Sequence, residues 1–410
     1  MSPLPSVEAA DGVADVVDDV IDVVDVVCLG ESMVTFVPSR PGRLADVPSF
    51  ARGIGGAESN VACGLARAGH RARWISRVGT DGFGEHLVRE IAATGVDTAY
   101  VQRDPHRPTG IYFRTAGERA VGSEQVDGSE TVDGAGPADG NGAADGNGPA
   151  ESPDSPEPLA EVVYYRAGSA AAAMSPALIP RERAWSGRVL HLTGITPALS
   201  ADCRTLMHEL TARAPGRPLV SFDLNYRVSL WQREADAERG PAVLLGLARG
   251  CDLVFVGEDE AEAVWGVSGP AAIRAALPEP ELLVVKQGGA GATAYARCPD
   301  GTDDVTFEPA PRVDVVAPVG AGDAFAAGFL SGTLRGLPVA ERLRHGHLMA
   351  AAALTVPGDL GTPPSREHAD HLVALDAAQW GTLRFGPGWT DLPTPAEKWA
   401  ETAAVEVSDS

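Results

Sequence analysis

The stretch VVAPVGAGDAFAAGF, residues Val315–Phe329, places one carboxylate between a loop with almost no side chains and an apolar run. Small residues occupy Gly320–Gly322, Asp323 follows, and the spacing after it predicts a helix over Asp323–Arg335. The first N–H groups of a helix lack partners within the helix and carry partial positive charge, so small residues there let an anion approach closely. Asp323 is therefore either a helix N-cap or a base beside an anion site.

Several other site motifs are missing from the sequence. It has no G-x-x-x-x-G-K-[ST], and the Gly320–Gly322 loop lacks the third glycine of a dinucleotide fingerprint. It has neither H-E-x-x-H nor G-x-S-x-G. The five cysteines are scattered without a C-x-x-C pair, which argues against a zinc site and against a disulfide framework.

Charge and hydropathy exclude several classes of partner. The 410 residues carry a formal net charge of −23, which argues against nucleic acid. The N-terminal residues are acidic, unlike a signal peptide, and no run of about 18 apolar residues is available to span a membrane. We therefore expect a protein of the reducing cytoplasm whose partners are small molecules.

Strands alternate with helices along most of the chain, which predicts an α/β fold with a mostly parallel sheet. A strand is expected at Val23–Leu29, a helix after Asn60 that ends before Gly69, a strand RARWISRVG and a helix over Val339–Ala353. TGIYFRT and EVVYYRAGSA predict a hairpin interrupted by residues 117–161. We assign a folded domain to residues 23–385, a disordered acidic tail to 1–22, a disordered insert to 117–161 and a loosely attached tail to 386–410.

Two signatures together resemble a known family. GGAESNVACGLARAG (Gly55–Gly69) and PVGAGDAFAAGF (Pro318–Phe329) resemble the paired signatures of the ribokinase-like, PfkB-type carbohydrate kinases. Within that family YYRAGSA, LHLTGITPALS and DLNYR are most similar to the 2-keto-3-deoxygluconate kinases. The resemblance implies a three-layer α/β/α domain, a small β lid from about residues 33–52 and 108–169, and a homo-oligomer.

The resemblance also implies a site for ATP, Mg²⁺ and a sugar acid, with Asp323 as the catalytic base. The anion hole would consist of the amides of Gly320, Ala321 and Gly322. The sugar would be bound by Gly56, Asn60, Tyr112, Tyr164, Arg166, Arg227, Asp323 and Asp359. ATP would be bound by Asn225, Arg227, Lys286, Gly288, Gly289, Gly291, Gly320 and Gly322. Glu260 would orient Mg²⁺ through water.

The positive charges of the predicted site favour one substrate among several alternatives. Arginine suits a planar carboxylate, so Arg166 and Arg227 favour a sugar acid, 2-keto-3-deoxygluconate, phosphorylated at its terminal hydroxyl. Fructose or another keto-deoxy acid is the nearest alternative, and a catalytically silent sugar-binding protein is another. Tyr165 either contributes to the site or covers a hairpin face. The insert is either a neutral expansion or a regulatory segment.

The chain departs from the family pattern at two positions. Ala317 stands where relatives often have an acid that helps to bind a monovalent cation, so cation activation is doubtful. Gly257 replaces the asparagine of the family's N-x-x-E, although Glu260 is kept. His345 and His347 lie on a predicted helix without a second set of ligands, which favours packing or surface roles over metal binding.

Overall fold

An eight-stranded sheet forms the centre of the protein in the computed structural model, which describes residues 22–40, 43–114, 162–231 and 240–391. Its strand order is β14-β13-β12-β11-β10-β9-β1-β4. All neighbouring pairs from β12 to β4 are parallel, whereas β12/β13 and β13/β14 are antiparallel. The strands are β1 Val24–Leu29, β4 Ala72–Ile75, β9 Gly187–Thr193, β10 Leu219–Asp223, β11 Leu253–Gly257, β12 Leu282–Lys286, β13 Gly291–Arg297 and β14 Asp303–Pro309.

Helices cover both faces of this sheet. Along β1, Val27 and Leu29 join one core cluster while Val26 and Cys28 join another, because successive side chains point to opposite faces. The first cluster contains residues of the helices Ala201–Thr211, Gly240–Gly250, Glu258–Trp265 and Pro270–Ala276, and the second contains residues of the helices Ala57–Arg67, Gly82–Ala93, Ala321–Leu334 and Val339–Leu354. This arrangement confirms the predicted three-layer α/β/α fold class.

The helices of the described residues are mostly short. They are α1 Ala57–Arg67, α2 Gly82–Ala93, α3 Arg181–Ala184, α4 Thr196–Leu199, α5 Ala201–Thr211, α6 Val228–Trp231, α7 Gly240–Gly250, α8 Glu258–Trp265, α9 Pro270–Ala276, α10 Ala321–Leu334, α11 Val339–Leu354, α12 Arg366–Val373 and α13 Ala377–Trp380. Single 3₁₀ turns occupy Ala171–Ala173, Gly288–Ala290 and Trp389–Asp391. Of the helices in the described ranges, none is long and apolar enough to cross a bilayer.

A second, four-stranded sheet lies beside the first and is called the lid. It has the order β3-β2-β7-β8, with β2 Met33–Pro38, β3 Phe50–Gly55, β7 Ile111–Arg114 and β8 Val162–Tyr165. β7 and β8 form the antiparallel pair that the sequence predicts, with Arg114 opposite Val162. Two-stranded pairs complete the topology: β5 Arg77–Gly79 with β6 Gln102–Asp104, and β15 Arg312–Val313 with β16 Arg384–Phe385.

Several predicted bounds need correction. RARWISRVG forms two strands, since the chain leaves the main sheet at Ser76 and β5 pairs with β6 instead. α1 begins at Ala57, before Asn60, and α10 begins at Ala321, so Asp323 lies within its first turn. The shift matters at α10 because it changes which residue caps the helix.

The chain ends are described only in part. Apart from Asp22, the predicted tail at residues 1–22 lies outside the described residues, as do the insert at 117–161 and residues 392–410. The predicted loose attachment from residue 386 is wrong for its first residues. Trp389 is buried in a third core cluster, with its ring centroid 4.1 Å from that of Phe385.

Candidate active site

The candidate site lies at the carboxyl ends of the parallel strands, where open α/β sheets bind ligands. Glu31 follows β1, whereas Thr193, Asp223 and Lys286 are the last residues of β9, β10 and β12. The N-terminus of α10 is drawn to the same edge, since Asp323 contacts residues of α1 and of the loop after β10. One edge of the sheet therefore gathers residues from distant parts of the chain.

Asp323 is held by two amide side chains. Asn60 Nδ2 donates to its Oδ2 at 2.9 Å, and Asn225 Nδ2 donates to its Oδ1 at 3.4 Å. Gly320 is the N-cap of α10, and no side chain caps that helix. The N-cap interpretation of Asp323 is therefore wrong, and its carboxylate faces the predicted site.

Asn225 reaches Asp323 from an uncommon backbone conformation. Its φ is 39°, the one positive value found for a non-glycine residue among the described parts of the chain. Such conformations persist where surrounding structure enforces them, and they concentrate at functional sites. The sequence assigned Asn225 to ATP, whereas the structure places its amide on the carboxylate of Asp323.

Burial raises the pKa of the Asp323 carboxyl to about 6. The hydrogen bond from Asn60 opposes the rise, the charge of Asp223 adds to it, and the charges of Arg227 and Lys286 oppose it. At neutral pH the group is therefore mostly ionised, yet it is more basic than an ordinary aspartate. A general base works best when its pKa lies near the working pH.

The Gly320–Gly322 turn lies beside Lys286. A Cβ atom at Gly322 would lie 3.5 Å from Lys286 Nζ, so the ammonium group sits next to the start of α10. Lys286 Nζ donates to both carboxylate oxygens of Asp223, at 2.8 and 2.9 Å. Burial acts to lower the pKa of Lys286, but the charges of Asp223 and Glu260 outweigh burial and raise it, so the group stays positively charged.

Glu260 fits a water-mediated Mg²⁺ position. Its Oε2 accepts the backbone N–H of Gly257 at 3.0 Å, which leaves the other oxygen for a ligand. Burial raises the pKa of Glu260, and the nearby charge of Lys286 opposes that rise. Within the described ranges no group of three His, Cys, Asp or Glu residues could hold a metal ion. Mg²⁺ needs no such cage, since it keeps several waters and binds through one or two carboxylates and substrate phosphates.

The lid closes over this edge through Tyr112 and Arg114 of β7. The Tyr112 hydroxyl donates to Asp359 Oδ2 at 3.0 Å, and Arg114 Nη1 donates to Asp359 Oδ1 at 2.6 Å. Burial and the charge of Asp359 raise the pKa of Tyr112 well above its usual value, so the hydroxyl keeps its proton. The structure therefore brings Tyr112 and Asp359 together as predicted residues and adds Arg114, which the sequence did not single out.

A second buried ion pair joins the lid to the sheet. Arg166, which follows β8, pairs with Glu31, whose Oε1 also accepts the Ser169 hydroxyl at 2.6 Å. Arg166 Nε has no hydrogen-bond partner among the described residues, although only 10% of the side chain is exposed. The Tyr164 ring lies 5.7 Å from the Arg166 guanidinium and 5.3 Å from the Tyr112 ring.

Gly56 and Asn60 lie at the start of α1, next to Glu31 and Asp323 respectively. A Cβ atom at Gly56 would lie 2.6 Å from the carbonyl oxygen of Glu31, so the backbone there approaches more closely than a side chain would allow. Asn60 Oδ1 is buried without a partner in the described part of the protein, while its Nδ2 is bound to Asp323. The free oxygen is an acceptor that a ligand hydroxyl could use.

The remaining predicted residues lie around this centre. Arg227 is exposed, and its charge lowers the pKa of both Asp323 and Glu260 against the effect of burial. Gly288 and Gly289 are exposed in the 3₁₀ turn after β12, and Gly291 begins β13. Their link to the site runs through the chain, since only Gln287 separates Lys286 from this turn.

Glu58 is a further residue that the sequence did not identify. It is fully buried on α1, and its Oε1 accepts hydrogen bonds from Thr193 at 2.8 Å and Thr196 at 2.9 Å. Burial raises its pKa to about 7; these hydrogen bonds oppose the rise and Asp323 adds to it. The available signal was an acid within the glycine-rich signature at a position that a helix would bury, since acids are rarely buried without partners.

Ala317 is one of the two positions at which the chain departs from the family pattern. The backbone N–H of Ala317 donates to the Leu354 carbonyl at 3.3 Å.

His347 Nε2 lies 3.0 Å from the Glu308 carbonyl, and His345 lies 3.3 Å from Asp370. Burial lowers the pKa of both histidines to about 4, which agrees with packing roles.

Comparison with known proteins gives a consistent result. A model described as pfkB family carbohydrate kinase matches residues 24–124 and 160–366. A Bacillus subtilis (strain 168) protein named 2-dehydro-3-deoxygluconokinase is 34% identical over 346 residues, which cover 83% of this chain and 93% of that protein. A Thermoproteus tenax protein of the same name is 30% identical over 350 residues, covering 85% and 94%. The solved structure of a PfkB protein from Polaromonas sp. JS666 is 32% identical, with a TM-score of 0.65, and covers 86% of this chain and 100% of its own.

Proposed function

The chain belongs to the pfkB family of carbohydrate kinases, and on that basis we propose that it transfers the γ-phosphoryl group of ATP to the terminal hydroxyl of 2-dehydro-3-deoxygluconate, which is 2-keto-3-deoxygluconate. The residues around Asp323 supply what this reaction needs: a base, an anion cradle and a cation. The substrate assignment draws on the names of the relatives and on the charges of the sugar pocket.

Asp323 takes the proton of the attacking hydroxyl in this scheme. The hydroxyl oxygen forms a bond to the γ-phosphorus, the bond from that phosphorus to the β–γ bridging oxygen breaks, and ADP leaves with the bond's electrons. The amides of Gly320, Ala321 and Gly322 face the charge that develops on the γ-phosphoryl oxygens. Lys286 stays charged beside them because Asp223 holds it.

Mg²⁺ supplies charge neutralisation on the ATP phosphates when it is bound. Glu260 would hold it through water, because its Oε2 is bonded to Gly257 and no hydrogen bond is formed by Oε1 within the described part of the chain. Arg227 is exposed close to Glu260 and Asp323, where it would bind phosphate or substrate oxygens. The glycines of the turn after Lys286 would let the nucleotide pass close to the backbone.

The unpaired Nε of Arg166 is the main observation that supports the substrate assignment. A guanidinium is fully ionised, and leaving its Nε unpaired in a nearly buried position is costly unless a ligand uses it. The two carboxylates on the lid side, Glu31 and Asp359, are each paired with an arginine. A substrate carboxylate would therefore meet no unpaired negative charge there.

Replacing Arg166 tests the preference for a sugar acid. In Arg166→Met we expect kcat/KM on 2-dehydro-3-deoxygluconate to fall at least tenfold more than kcat/KM on a neutral ketose such as fructose, measured by coupled ADP release. The double variant Glu31→Gln/Arg166→Met is the matched control, because it removes the carboxylate that the single change leaves unpaired. Equal losses on both sugars in the double variant would contradict the proposal that Arg166 binds a substrate carboxylate.

We also propose that the protein is a homo-oligomer that pairs through the outer face of the lid. On that face Tyr165 lies against Phe113, which stacks on Phe36 at a centroid separation of 4.7 Å. Phe36 itself packs against Phe83 of α2, so the exposed part of the face is the β8 side. Tyr165 is 62% exposed and Val163 is 36% exposed. Tyr165 therefore belongs to the outer face, away from Tyr112 and Tyr164.

A further inference from the structure

Arg114 ends β7 of the lid and is almost wholly buried against the main domain. Its Nη1 donates to Asp359 Oδ1 at 2.6 Å, and its Nη2 donates to the carbonyl oxygen of Pro357 at 3.3 Å. The two exposed fractions, 6% for Arg114 and 4% for Asp359, show that the pair is removed from water. One planar guanidinium therefore fixes two points of the segment Pro357–Asp359.

That segment also touches the start of α10. A Cβ atom at Gly320 would lie 2.4 Å from the carbonyl oxygen of Asp359, so the Asp359 backbone packs directly on the first residue of the anion cradle. The carboxylate of the same residue accepts the Tyr112 hydroxyl. Asp359 therefore borders the predicted sugar site with its side chain and the anion cradle with its backbone.

We propose that Arg114 is a positioning residue that ties the lid strand β7 to the N-terminus of α10 through Asp359. It would hold the lid, the carboxylate of Asp359 and the amide of Gly320 in one arrangement, so that the acceptor hydroxyl and the phosphoryl group are aligned. Misalignment of reacting groups lowers the rate of the chemical step more than it lowers the affinity for ATP. The inference rests on the proposed phosphoryl transfer.

Arginine suits this position better than lysine. Its fork of donors reaches Asp359 and Pro357 at once, whereas lysine presents one compact charge on a flexible chain. Lysine would keep the charge beside Asp359 and lose the second anchor. The two variants therefore separate the effect of the charge from the effect of the geometry.

The test measures steady-state kinetics of the full-length protein for Arg114→Met, Arg114→Lys, Asp359→Asn and Arg114→Met/Asp359→Asn. We expect kcat of Arg114→Met to fall at least tenfold while KM for ATP changes less than threefold. Arg114→Lys should recover at least threefold of that loss. Arg249→Met is the control, since Arg249 forms an exposed pair with Glu279 far from the site, and its kcat should stay within twofold of the wild type.

The double variant decides whether Arg114 acts through Asp359. If it does, the double variant should be no more than threefold slower than Asp359→Asn alone. Losses that multiply, or an Arg114→Met enzyme with wild-type kcat, would overturn the inference. Thermal unfolding and active-site titration allow kcat to be expressed per folded enzyme. If Arg114 had a purely structural role, this kcat would be unchanged in Arg114→Met, and that result would also overturn the inference. Wild-type protein that phosphorylates no sugar would instead refute the proposed function.

Discussion

Asp323 owes its properties to its neighbours more than to its place in a helix. It sits in the first turn of α10, where an acid often serves the helix itself, yet its oxygens are bound by Asn60 and Asn225. Burial raises its pKa to about 6 against the effect of the Asn60 hydrogen bond. The acid side of the pH profile should therefore report this carboxyl.

Removing the Asn60 amide should move that profile. In Asn60→Leu the carboxylate loses a donor that lowers its pKa, so the pKa should rise and the acid limb of kcat/KM should move to higher pH. A hydrogen bond to a charged group is worth about 1.5–3 kcal/mol and a pKa unit about 1.4 kcal/mol, which predicts a shift of about one to two units. Asn225→Gly, which tolerates the positive φ and removes a longer bond, should shift the limb less. An unmoved limb in Asn60→Leu would assign it to another group.

At the scale of elements, the N-terminus of α10 is set by contacts from both sides. The Lys286–Asp223 pair lies beside Gly322, and the Asp359 carbonyl lies against Gly320. Gly320 also has a φ of 74°, so both its backbone conformation and its surroundings require the absence of a side chain. Residues from several distant elements therefore position the start of α10.

Two glycine variants separate these requirements. Gly320→Ala should lower kcat at least tenfold, because the added methyl group would displace either Asp359 or the cradle. Gly336→Ala has a similar φ of 70° but nothing within 4 Å, so it should cost about 1–2 kcal/mol of stability and leave kcat within twofold. Kinetics and thermal unfolding of both variants provide the measurement. Similar kcat values in the two variants would mean that the Asp359 contact is unimportant.

The sequence predicts these elements better than it predicts the contacts between them. Buried strands such as β1 and the two glycine-rich signatures are local patterns, so the fold class and the position of Asp323 follow from them. Arg114 and Asp359 are 245 residues apart, and alternation along β7 does not reveal which partner the inner face meets. Glu31 and Glu58 were missed for the same reason, since only the folded chain places them beside Arg166 and Thr193.

At the scale of the whole molecule, the lid has two faces with different chemistry. Tyr112, Arg114 and Arg166 face the main domain, whereas Val163 and Tyr165 of β8 are exposed on the opposite face beside Phe113. Contiguous apolar surface of this kind is typical of protein interfaces. Pairing of two lids would bury it.

Charged residues on the outer face should break the oligomer. We expect Val163→Glu/Tyr165→Glu to shift the protein to a monomer in sedimentation velocity, because burying the introduced carboxylates would be costly. Val305→Glu on the edge strand β14 is the control, since Val305 is 54% exposed on the other sheet, and it should keep the wild-type state. A monomeric wild type, or an unchanged double variant, would refute this interface.

The central claim is that this chain transfers phosphate to a sugar acid with Asp323 as the base. The most direct measurement is kcat for ATP-dependent phosphorylation of 2-dehydro-3-deoxygluconate by the wild type and by Asp323→Asn, together with binding of the sugar to both. We expect turnover by the wild type, a loss of about 10²–10⁴-fold in Asp323→Asn, and retained sugar binding by the variant. A wild type that binds the sugar without turnover, or an Asp323→Asn variant with near wild-type kcat, would contradict it.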